Sequence, residues 1–136
     1  MSDAASLLQA PSPAVLTTYR KDGTAAVSPV WFRFHDNAFE VVIGEDDVKL
    51  RHLTACPRCE LLVFEAVPPF RGIRAAADQP VLTREGAQQA REQIASRYLG
   101  DEQGKRFAVE RTTAGVLLRI PAHMAKAWDL TAILPS

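Results

Sequence analysis

The residues best suited to chemistry follow a predicted strand and open a short basic helix. The apolar run AFEVVIG ends at Gly44, two aspartates follow, and Lys49 then falls in the first turn of the segment VKLRHLTA. Asp46 or Asp47 is expected to cap this helix. Backbone N–H groups at a helix N-terminus, together with a lysine, bind anionic groups such as phosphate. The pattern therefore predicts a phosphate-bearing ligand and points to a cofactor.

Arg51 is a second candidate contact for this anion. Residues two apart on an α-helix are separated by about 200° of rotation, so Lys49 and Arg51 cannot share one helical face. Both can touch one ligand only if Lys49 lies in the non-helical entry to the helix. The alternative for Arg51 is an exposed ion pair with Asp47, four residues earlier.

Three apolar, strand-like runs lead into this helix, and turn residues separate them. The runs lie at about 15–19, 25–34 and 38–44, with Asp22-Gly23 in the first gap and Asp36-Asn37 in the second. Both pairs tolerate the positive φ angles of tight hairpins, so the sequence predicts an antiparallel meander.

The second run carries a proline and alternates in polarity. Because Pro29 cannot donate a ladder hydrogen bond, this strand is expected at a sheet edge or a bulge. Trp31 and Arg33 lie on one face of the strand, where Arg33 would suit a carboxylate or a polyanionic tail. The opposite, apolar face is formed by Val30, Phe32 and Phe34.

The remainder of the chain supplies further strands and inserted helices. Strands are predicted at 59–67, at 71–82 with a polar break at 78–80, at 115–120 and at 122–130. The main helix is predicted to start at an N-cap, Thr83, and to end at Gly100. Its apolar stripe consists of Ala87, Ala90, Ile94, Tyr98 and Leu99. Shorter helical segments are predicted over 3–10 and, through Phe107, over 101–109. Six to seven antiparallel strands with inserted helices predict a mainly β protein built as a small barrel.

Length and composition predict one domain, 1–136, with 1–13 as an N-terminal helix and linker and 84–100 as the main inserted helix.

With a formal net charge of zero, the chain lacks the basic surplus of a general nucleic-acid binder. No window approaches the roughly 18 apolar residues of a membrane span, and residues 1–13 lack a basic n-region, so a secretory leader is not expected. We therefore expect a soluble cytoplasmic protein without nucleic-acid or membrane partners. A net charge near zero disfavours solubility of a lone monomer but is harmless for a chain that hides surface in a dimer.

Other familiar catalytic patterns are missing from the sequence. Cys56 and Cys59 form a C-x-x-C pair, but the predicted helix precedes the pair instead of following it, so a redox or metal role is not expected. The three histidines are scattered without ligand spacing, and no metal site is predicted. No nucleophile elbow, Walker loop or paired catalytic carboxylate occurs, so no catalytic residue is assigned. If the protein is an enzyme, a cofactor carries the reaction.

Three segments, TTYRKDGTAAVSPVWFRF, VKLRHLTACPR and PAHMAKAWDL, together resemble the FMN-binding split β-barrel proteins related to pyridoxamine 5′-phosphate oxidase. Within that family the chain is most similar to the branch that uses the deazaflavin coenzyme F420. The resemblance extends from Ala14 to Leu130. It implies a split β-barrel and a homodimer with cofactor sites at the subunit interface. It also implies F420 as the first-choice cofactor and FMN as the second.

The resemblance also implies roles for individual residues. Lys49 matches the lysine that meets the cofactor phosphate, and Arg51 matches the second basic residue of the same element. Trp128 matches a late tryptophan that reaches the site, in some relatives from the other subunit. The residues that match strands lying along or near the ring are Ser28, Val30, Trp31, Arg33, Ile43 and Gly44.

The chain also departs from the family pattern. Val48 stands where flavin-using relatives place an arginine, and Asp46 and Asp47 add negative charge near the expected phosphate. The C-terminal arginines of true pyridoxamine-phosphate oxidases are missing, because the sequence ends in LTAILPS. That particular oxidase activity is therefore not expected.

The combined expectation is an F420- or FMN-dependent oxidoreductase that transfers a hydride between the cofactor and a small conjugated molecule. FMN ends in one phosphate, which a two-cation clamp grips well, whereas F420 carries a longer anionic tail that suits dispersed cations. The alternative is a non-catalytic flavin, deazaflavin or haem-type ligand-binding protein of the same fold. Haem is the weaker choice, because no histidine occupies an evident axial position.

Overall fold

Two antiparallel sheets, joined by bends and covered by helices, form the architecture. The computed structural model describes residues 4–135, so the first residue of the helical segment predicted over 3–10 lies outside the described part. Its strands are β1 (Ala14–Tyr19), β2 (Ala25–Val30), β3 (Arg33–His35), β4 (Ala38–Gly44), β5 (Arg58–Phe64), β6 (Gly72–Asp78), β7 (Val81–Thr83), β8 (Gly115–Pro121) and β9 (Ala125–Trp128). Its α-helices are α1 (Ser6–Gln9), α2 (Val48–Ala55), α3 (Ala87–Leu99) and α4 (Asp101–Glu110). Short 3₁₀ turns span Ala122–Met124 and Thr131–Ile133.

The five-stranded sheet has the order β2-β1-β5-β6-β9, and the four-stranded sheet has the order β3-β4-β8-β7. Alternate side chains from both sheets form one core, whose largest fully buried members include Leu16, Phe32, Phe39, Leu61 and Leu118. The predicted class, mainly antiparallel β with inserted helices, is confirmed. Residues 4–135 contain nine strands instead of six or seven, because two predicted strands are each divided between the sheets.

The predicted single strand 25–34 is one of the two that divide. β2 ends at Val30 in the five-stranded sheet, and β3 begins at Arg33 in the four-stranded sheet. Phe32, at the bend, is completely buried, and its backbone N–H donates to Tyr98 Oη at 3.3 Å. Because the Phe32 ring is buried at this bend, the chain leaves the five-stranded sheet and continues in the four-stranded sheet. Pro29 lies on β2 at the sheet edge, as its missing donor predicts.

The predicted turns are confirmed. Asp36 and Asn37 have φ angles of 53° and 60° and join β3 to β4 in a two-residue hairpin. Gly23 has a φ of 89°, and Asp22 Oδ1 accepts a hydrogen bond from the Thr24 N–H at 3.0 Å. The break predicted at 78–80 is also present, and it moves the chain from β6 in one sheet to β7 in the other.

The predicted start of the main helix is wrong. Thr83 ends β7, and its Oγ1 accepts from the Glu85 N–H in a local turn, so α3 begins only at Ala87 after Gly86. The predicted end is confirmed, because the N–H of Gly100 donates to the Ser96 carbonyl at 2.9 Å. The predicted strand 122–130 shortens to β9, since a 3₁₀ turn occupies its first residues.

Helices α3 and α4 form a hairpin that packs closely at Gly104. A Cβ placed on Gly104 would lie 2.5 Å from the Ser96 backbone nitrogen and Cα. We expect Gly104→Ala to lower the free energy of unfolding by about 1–2 kcal/mol, because overpacking outweighs the roughly 1 kcal/mol gained in helix propensity. Urea denaturation measures this difference. The exposed Gln103→Ala on the same helix is the control, and equal stability of the two variants would contradict the close approach.

The loop between β5 and β6 is held by Glu65. Its carboxylate accepts hydrogen bonds from the Arg71 backbone N–H at 2.8 Å and from Arg71 Nε at 2.7 Å. These bonds lower the pKa of Glu65 from 4.5 to about 2. The stabilising contribution is therefore fully present above about pH 4.5 and is lost as the pH falls through about 2.

We expect Glu65→Gln to be less stable than the wild type near neutral pH, with the difference shrinking between about pH 4.5 and 2. Denaturant titrations at several pH values measure the two free energies of unfolding. Glu85→Gln, at an exposed position, serves as the control for general charge effects. A difference that stays constant over this pH range would contradict the Glu65 assignment.

Candidate functional site

The junction between β4 and α2 has the predicted local structure. Asp47 caps α2, its Oδ1 accepting from the Lys49 N–H at 2.9 Å. Lys49 lies in the first turn of the helix, and its Nζ is 3.1 Å from Asp47 Oδ2. Partial burial opposes ionisation, but the hydrogen bonds and charge of Lys49 lower the pKa of Asp47. A protein carboxylate therefore already occupies part of the anion-binding position at this helix end.

The Arg51 side chain does not join Lys49 at the start of α2. Its side chain is exposed and forms no ion pair within residues 4–135. The ion pair considered between Arg51 and Asp47 is wrong, because Lys49 takes that carboxylate. Lys49, two residues before Arg51, lies inside α2, so the rotation between the two positions separates their side chains.

Trp31 lies at the bend after β2 and packs against the helical hairpin. Its ring stacks on Tyr98 of α3 with centroids 5.3 Å apart and planes 12° apart. It also meets Phe107 of α4 at 5.2 Å and 54°. The Tyr98 hydroxyl donates to the Ser12 carbonyl at 3.0 Å, which fixes the stack against the N-terminal segment. Trp31 remains 36% exposed, so one side of the aromatic cluster is open to a ligand.

A large apolar cleft adjoins this aromatic cluster. Its volume is about 710 Å³. Its lining includes Val30 and Trp31 from the sheet bend, Tyr98 and Phe107 from the helices, and Pro13 from the N-terminal segment. Ligand pockets are usually clefts of about 300–1,000 Å³ with mostly apolar walls. The cleft therefore has the size and chemistry for a flat, multi-ring group.

A second, smaller pocket of about 140 Å³ shares Val30, Trp31 and Phe107 with the cleft. Val30, Trp31 and Gly44 line it from the sheets, and the helical hairpin contributes Arg91 and Phe107. Arg111, the residue after α4, completes its basic side. The structure thus brings together three of the predicted residues, Val30, Trp31 and Gly44, around one space.

The arginines of the small pocket were missed from the sequence, because neither adjoins the β4–α2 motif. The one available signal is Arg91 itself, a charged residue flanked by Ala90 and Ile94 on the buried face of α3. Such a residue is buried only where it finds partners. Which partners it finds cannot be read from that spacing.

Arg33 does not present a free cation. Its Nε is 2.6 Å from Glu40 Oε1, and Glu40 is only 3% exposed. Arg119 Nε lies 2.7 Å from the second carboxylate oxygen, so two arginines flank one buried carboxylate. Arg33 is expected from the sequence to suit a carboxylate or a polyanionic tail of a ligand. In the structure the carboxylate that it contacts belongs to Glu40.

The other predicted residues are dispersed. Ser28 is half-buried on β2, and Ile43 is buried in the core, outside the lining of either pocket. Trp128 lies on β9, at the sheet edge opposite β2. Its ring covers Gly72, where a Cβ would be 2.2 Å from the Trp128 Cζ2. Within one chain, Trp128 does not reach the pockets near Trp31.

The two cysteines of the C-x-x-C pair differ in burial, since Cys56 is half-buried and Cys59 is buried. Both cysteines are free, and burial raises the pKa of Cys59 to about 12. A thiol with so high a pKa is a poor nucleophile and a poor metal ligand. Residues 4–135 contain no group of three or more His, Cys, Asp or Glu side chains arranged to hold a metal ion.

Within the described part of the chain, no helix has both the length and the apolar character needed to cross a bilayer.

The fold matches solved structures at low sequence identity. The conserved hypothetical protein Rv2991 from Mycobacterium tuberculosis superposes with a TM-score of 0.81 at 19% identity, covering 99% of this chain and 88% of that one. HutZ, the haem storage protein from Vibrio cholerae, gives 0.67 at 14%, covering 92% of each chain. A structure described as an F420 reductase gives 0.61 at 19%, covering 89% of this chain and 94% of that one. These similarities concern the fold alone.

Sequence comparison identifies the family. No curated protein matches the chain significantly. The family described as pyridoxamine 5′-phosphate oxidase, however, matches residues 2–120. That range includes both predicted hairpins, the β4–α2 junction and the aromatic cluster at Trp31. The chain belongs to the pyridoxamine 5′-phosphate oxidase family, as its split-barrel fold and the resemblance of its sequence motifs both indicate.

Proposed function

We propose that this protein is an oxidoreductase that uses F420, or alternatively FMN, to transfer a hydride to or from a small conjugated molecule. The observation that carries the proposal is the apolar cleft of about 710 Å³ with the partly exposed Trp31 in its wall. Flat ring systems bind well between such walls, held by a few polar groups. Membership of the family supports the same class of cofactor.

In this proposal Val30 and Trp31 hold the flat ring, with Ser28 and Ile43 on the strands that support them. The anionic tail runs past Gly44 to Lys49. Tyr98 and Phe107 shield the ring from water. When bound, the cofactor supplies the hydride chemistry, and the side chains bind and orient it.

F420 is the first choice of cofactor. The Lys49 amine is already paired with Asp47, and Arg51 is exposed on another face of α2. Arg33 is engaged by Glu40. Such dispersed and partly neutralised cations make a poor clamp for the single phosphate of FMN, but they suit a longer anionic tail that contacts them one at a time.

A homodimer with cofactor sites at the interface is part of the proposal. Trp128 on β9 is four strand spacings from β2, about 19 Å across the sheet. It would reach the ring-binding strand most directly from a second copy. The edge strand β2 also exposes Val27 to 64%. Light scattering is expected to give twice the chain mass of 14.9 kDa, and a monomer would contradict this part.

The central test is to titrate the purified protein separately with F420 and FMN while following the fluorescence of each ring. We expect saturation at micromolar concentration, tighter for F420. Reduced cofactor should then be consumed in the presence of an enone, a quinone or biliverdin. Absence of saturable binding by either cofactor would remove the proposal.

The second candidate function is binding without turnover, as in a storage or sensing protein for a flavin, a deazaflavin or haem. The ion pair between Asp47 and Lys49 favours it, because this pair weakens the expected phosphate contact. The fold similarity to a protein described as a haem storage protein points the same way. Haem is the weakest of these ligands, since no histidine lines either pocket described above. Saturable binding without cofactor consumption would favour this function.

A further inference from the structure

The small pocket between the sheets and the helical hairpin contains two arginines and no carboxylate. Nine residues line it, and none of them is Asp or Glu. Arg91 projects from α3, and Arg111 follows the last turn of α4. Two cations therefore border one space without a protein counter-ion in its lining.

Arg91 is an unusual cation because it is only 6% exposed. Its Nη1 donates to the Thr113 carbonyl at 2.9 Å and to Gln88 Oε1 at 3.3 Å. Its Nε and Nη2 make no hydrogen bond within residues 4–135. Burial and the charge of Arg111 both lower the pKa of Arg91. Neither Nε nor Nη2 is among the buried polar atoms without a partner, so both are accessible and available to an anion in the pocket. Such an anion would offset the burial of the guanidinium charge.

Gly115 leaves space for the Arg91 guanidinium, and the guanidinium of Arg111 has no carboxylate partner within residues 4–135. A Cβ on Gly115 of β8 would lie 2.9 Å from Arg91 Nη2, so Gly115 leaves room for the guanidinium in its present position. Arg111 Cζ lies 5.4 Å from the Phe107 ring centroid, and Arg111 forms no ion pair within residues 4–135. The adjacent carboxylate, Glu110, is directed to Arg106 instead, at 3.8 Å.

The apolar part of the pocket limits what the anion can be attached to. Trp31 and Phe107 form an aromatic wall, and Val30 and Val42 add aliphatic surface. The volume of about 140 Å³ is close to that of a cavity of about 150 Å³ that accommodates benzene. One aromatic or conjugated ring is comparable to these dimensions, and a charged substituent on it would extend toward the arginines of the lining.

We infer that Arg91 and Arg111 form a binding site for the carboxylate of a small planar acid whose ring lies against Trp31 and Phe107. An arginine guanidinium binds a carboxylate through two parallel, charge-assisted hydrogen bonds, and a second arginine beside it adds favourable charge. The inference rests on the proposed function only in assigning this acid as the hydride-exchanging substrate. Binding itself requires no cofactor.

The test is calorimetric titration of the cofactor-free protein with benzoate, with its neutral analogue benzamide and with inorganic phosphate. We expect saturable binding of benzoate and at least about 10-fold weaker binding of the other two probes. Arg111→Gln should weaken benzoate binding about 10-fold or more. Arg106→Gln, which removes an exposed arginine from the same helix, should leave it unchanged.

Three outcomes would overturn the inference. They are absence of benzoate binding, equal binding of benzamide, and equal losses in the Arg111 and Arg106 variants. Circular dichroism verifies that each variant is folded. Should Arg111→Gln fail to fold, Arg111→Lys takes its place, because it keeps the charge and removes the bidentate geometry, and a several-fold loss is expected.

A final titration tests whether the arginines bind the carboxylate of a separate substrate or a carboxylate of the F420 tail. Benzoate titration is repeated with saturating F420, whose own tail carries carboxylates. Unchanged benzoate affinity supports a separate substrate site, whereas displacement of benzoate by F420 would overturn the substrate assignment, because the cofactor would then occupy the same aromatic wall or the same arginines. If benzoate binds but neither F420 nor FMN does, the site is upheld and the proposed function fails. If a cofactor binds but benzoate does not, only this inference fails.

Discussion

Replacing Glu40 with glutamine is expected to lower the free energy of unfolding by about 3–5 kcal/mol. Glu40 is 3% exposed, and its two carboxylate oxygens lie 2.6 Å from Arg33 Nε and 2.7 Å from Arg119 Nε. Glutamine keeps the shape but leaves two mostly buried arginines without a counter-charge. Breaking a buried ion pair in this way costs several kcal/mol, far more than losing a surface pair. Guanidinium denaturation of the wild type and the variant measures the loss.

The matched control is Glu60→Gln, which breaks the ion pair with Arg74 on the five-stranded sheet. Arg74 is 59% exposed, so this change should cost about 1 kcal/mol or less. Combining Glu40→Met with Arg33→Met should recover part of the loss, since an unpaired cation is removed with its partner. A loss below about 1 kcal/mol in Glu40→Gln would show that Glu40 does not support the junction between β3, β4 and β8.

The second large effect is expected on cofactor binding. We expect Lys49→Ala to weaken binding of F420 or FMN by about 1.5–3 kcal/mol, the range for a hydrogen bond to a charged group. This corresponds to roughly a 10- to 150-fold higher Kd. Ring fluorescence titrations of the wild type and the variant give both constants. An unchanged Kd would remove Lys49 from the site while leaving the fold intact.

Asp47→Asn should have the opposite effect. Asparagine is as good an N-cap as aspartate, so α2 should keep its start. The change removes the carboxylate that lies 3.1 Å from the Lys49 amine and frees that amine for the ligand. Cofactor affinity should rise about 5-fold, equivalent to ~1 kcal/mol for a partly exposed pair. Glu85→Gln, at an exposed position, raises the net charge by the same one unit and is the control. Weaker binding by Asp47→Asn would mean that Asp47 itself holds the ligand.

The sequence alone determined the local features of this protein. The hairpin at Asp36-Asn37, the cap at Asp47 and the helix end at Gly100 each depend on residues within a few positions of one another. Their φ preferences and short hydrogen bonds involve only neighbouring residues and need no distant contact. The fold class could be predicted for a related reason, since strand periodicity and the order of turns are also local features of the sequence. The family is indicated by the resemblance of three sequence segments to its members.

The tertiary structure decided where charges and rings meet. Glu40 joins Arg33 to Arg119 across 86 positions of sequence, so neither periodicity nor spacing predicts that Arg33 is already paired. The division of the strand 25–34 depends on burying Phe32 between two sheets. The Arg91–Arg111 pocket exists because α3 and α4 fold back onto the sheets beside Trp31. Such contacts are set by the packing of distant surfaces, and no short segment of the chain encodes them.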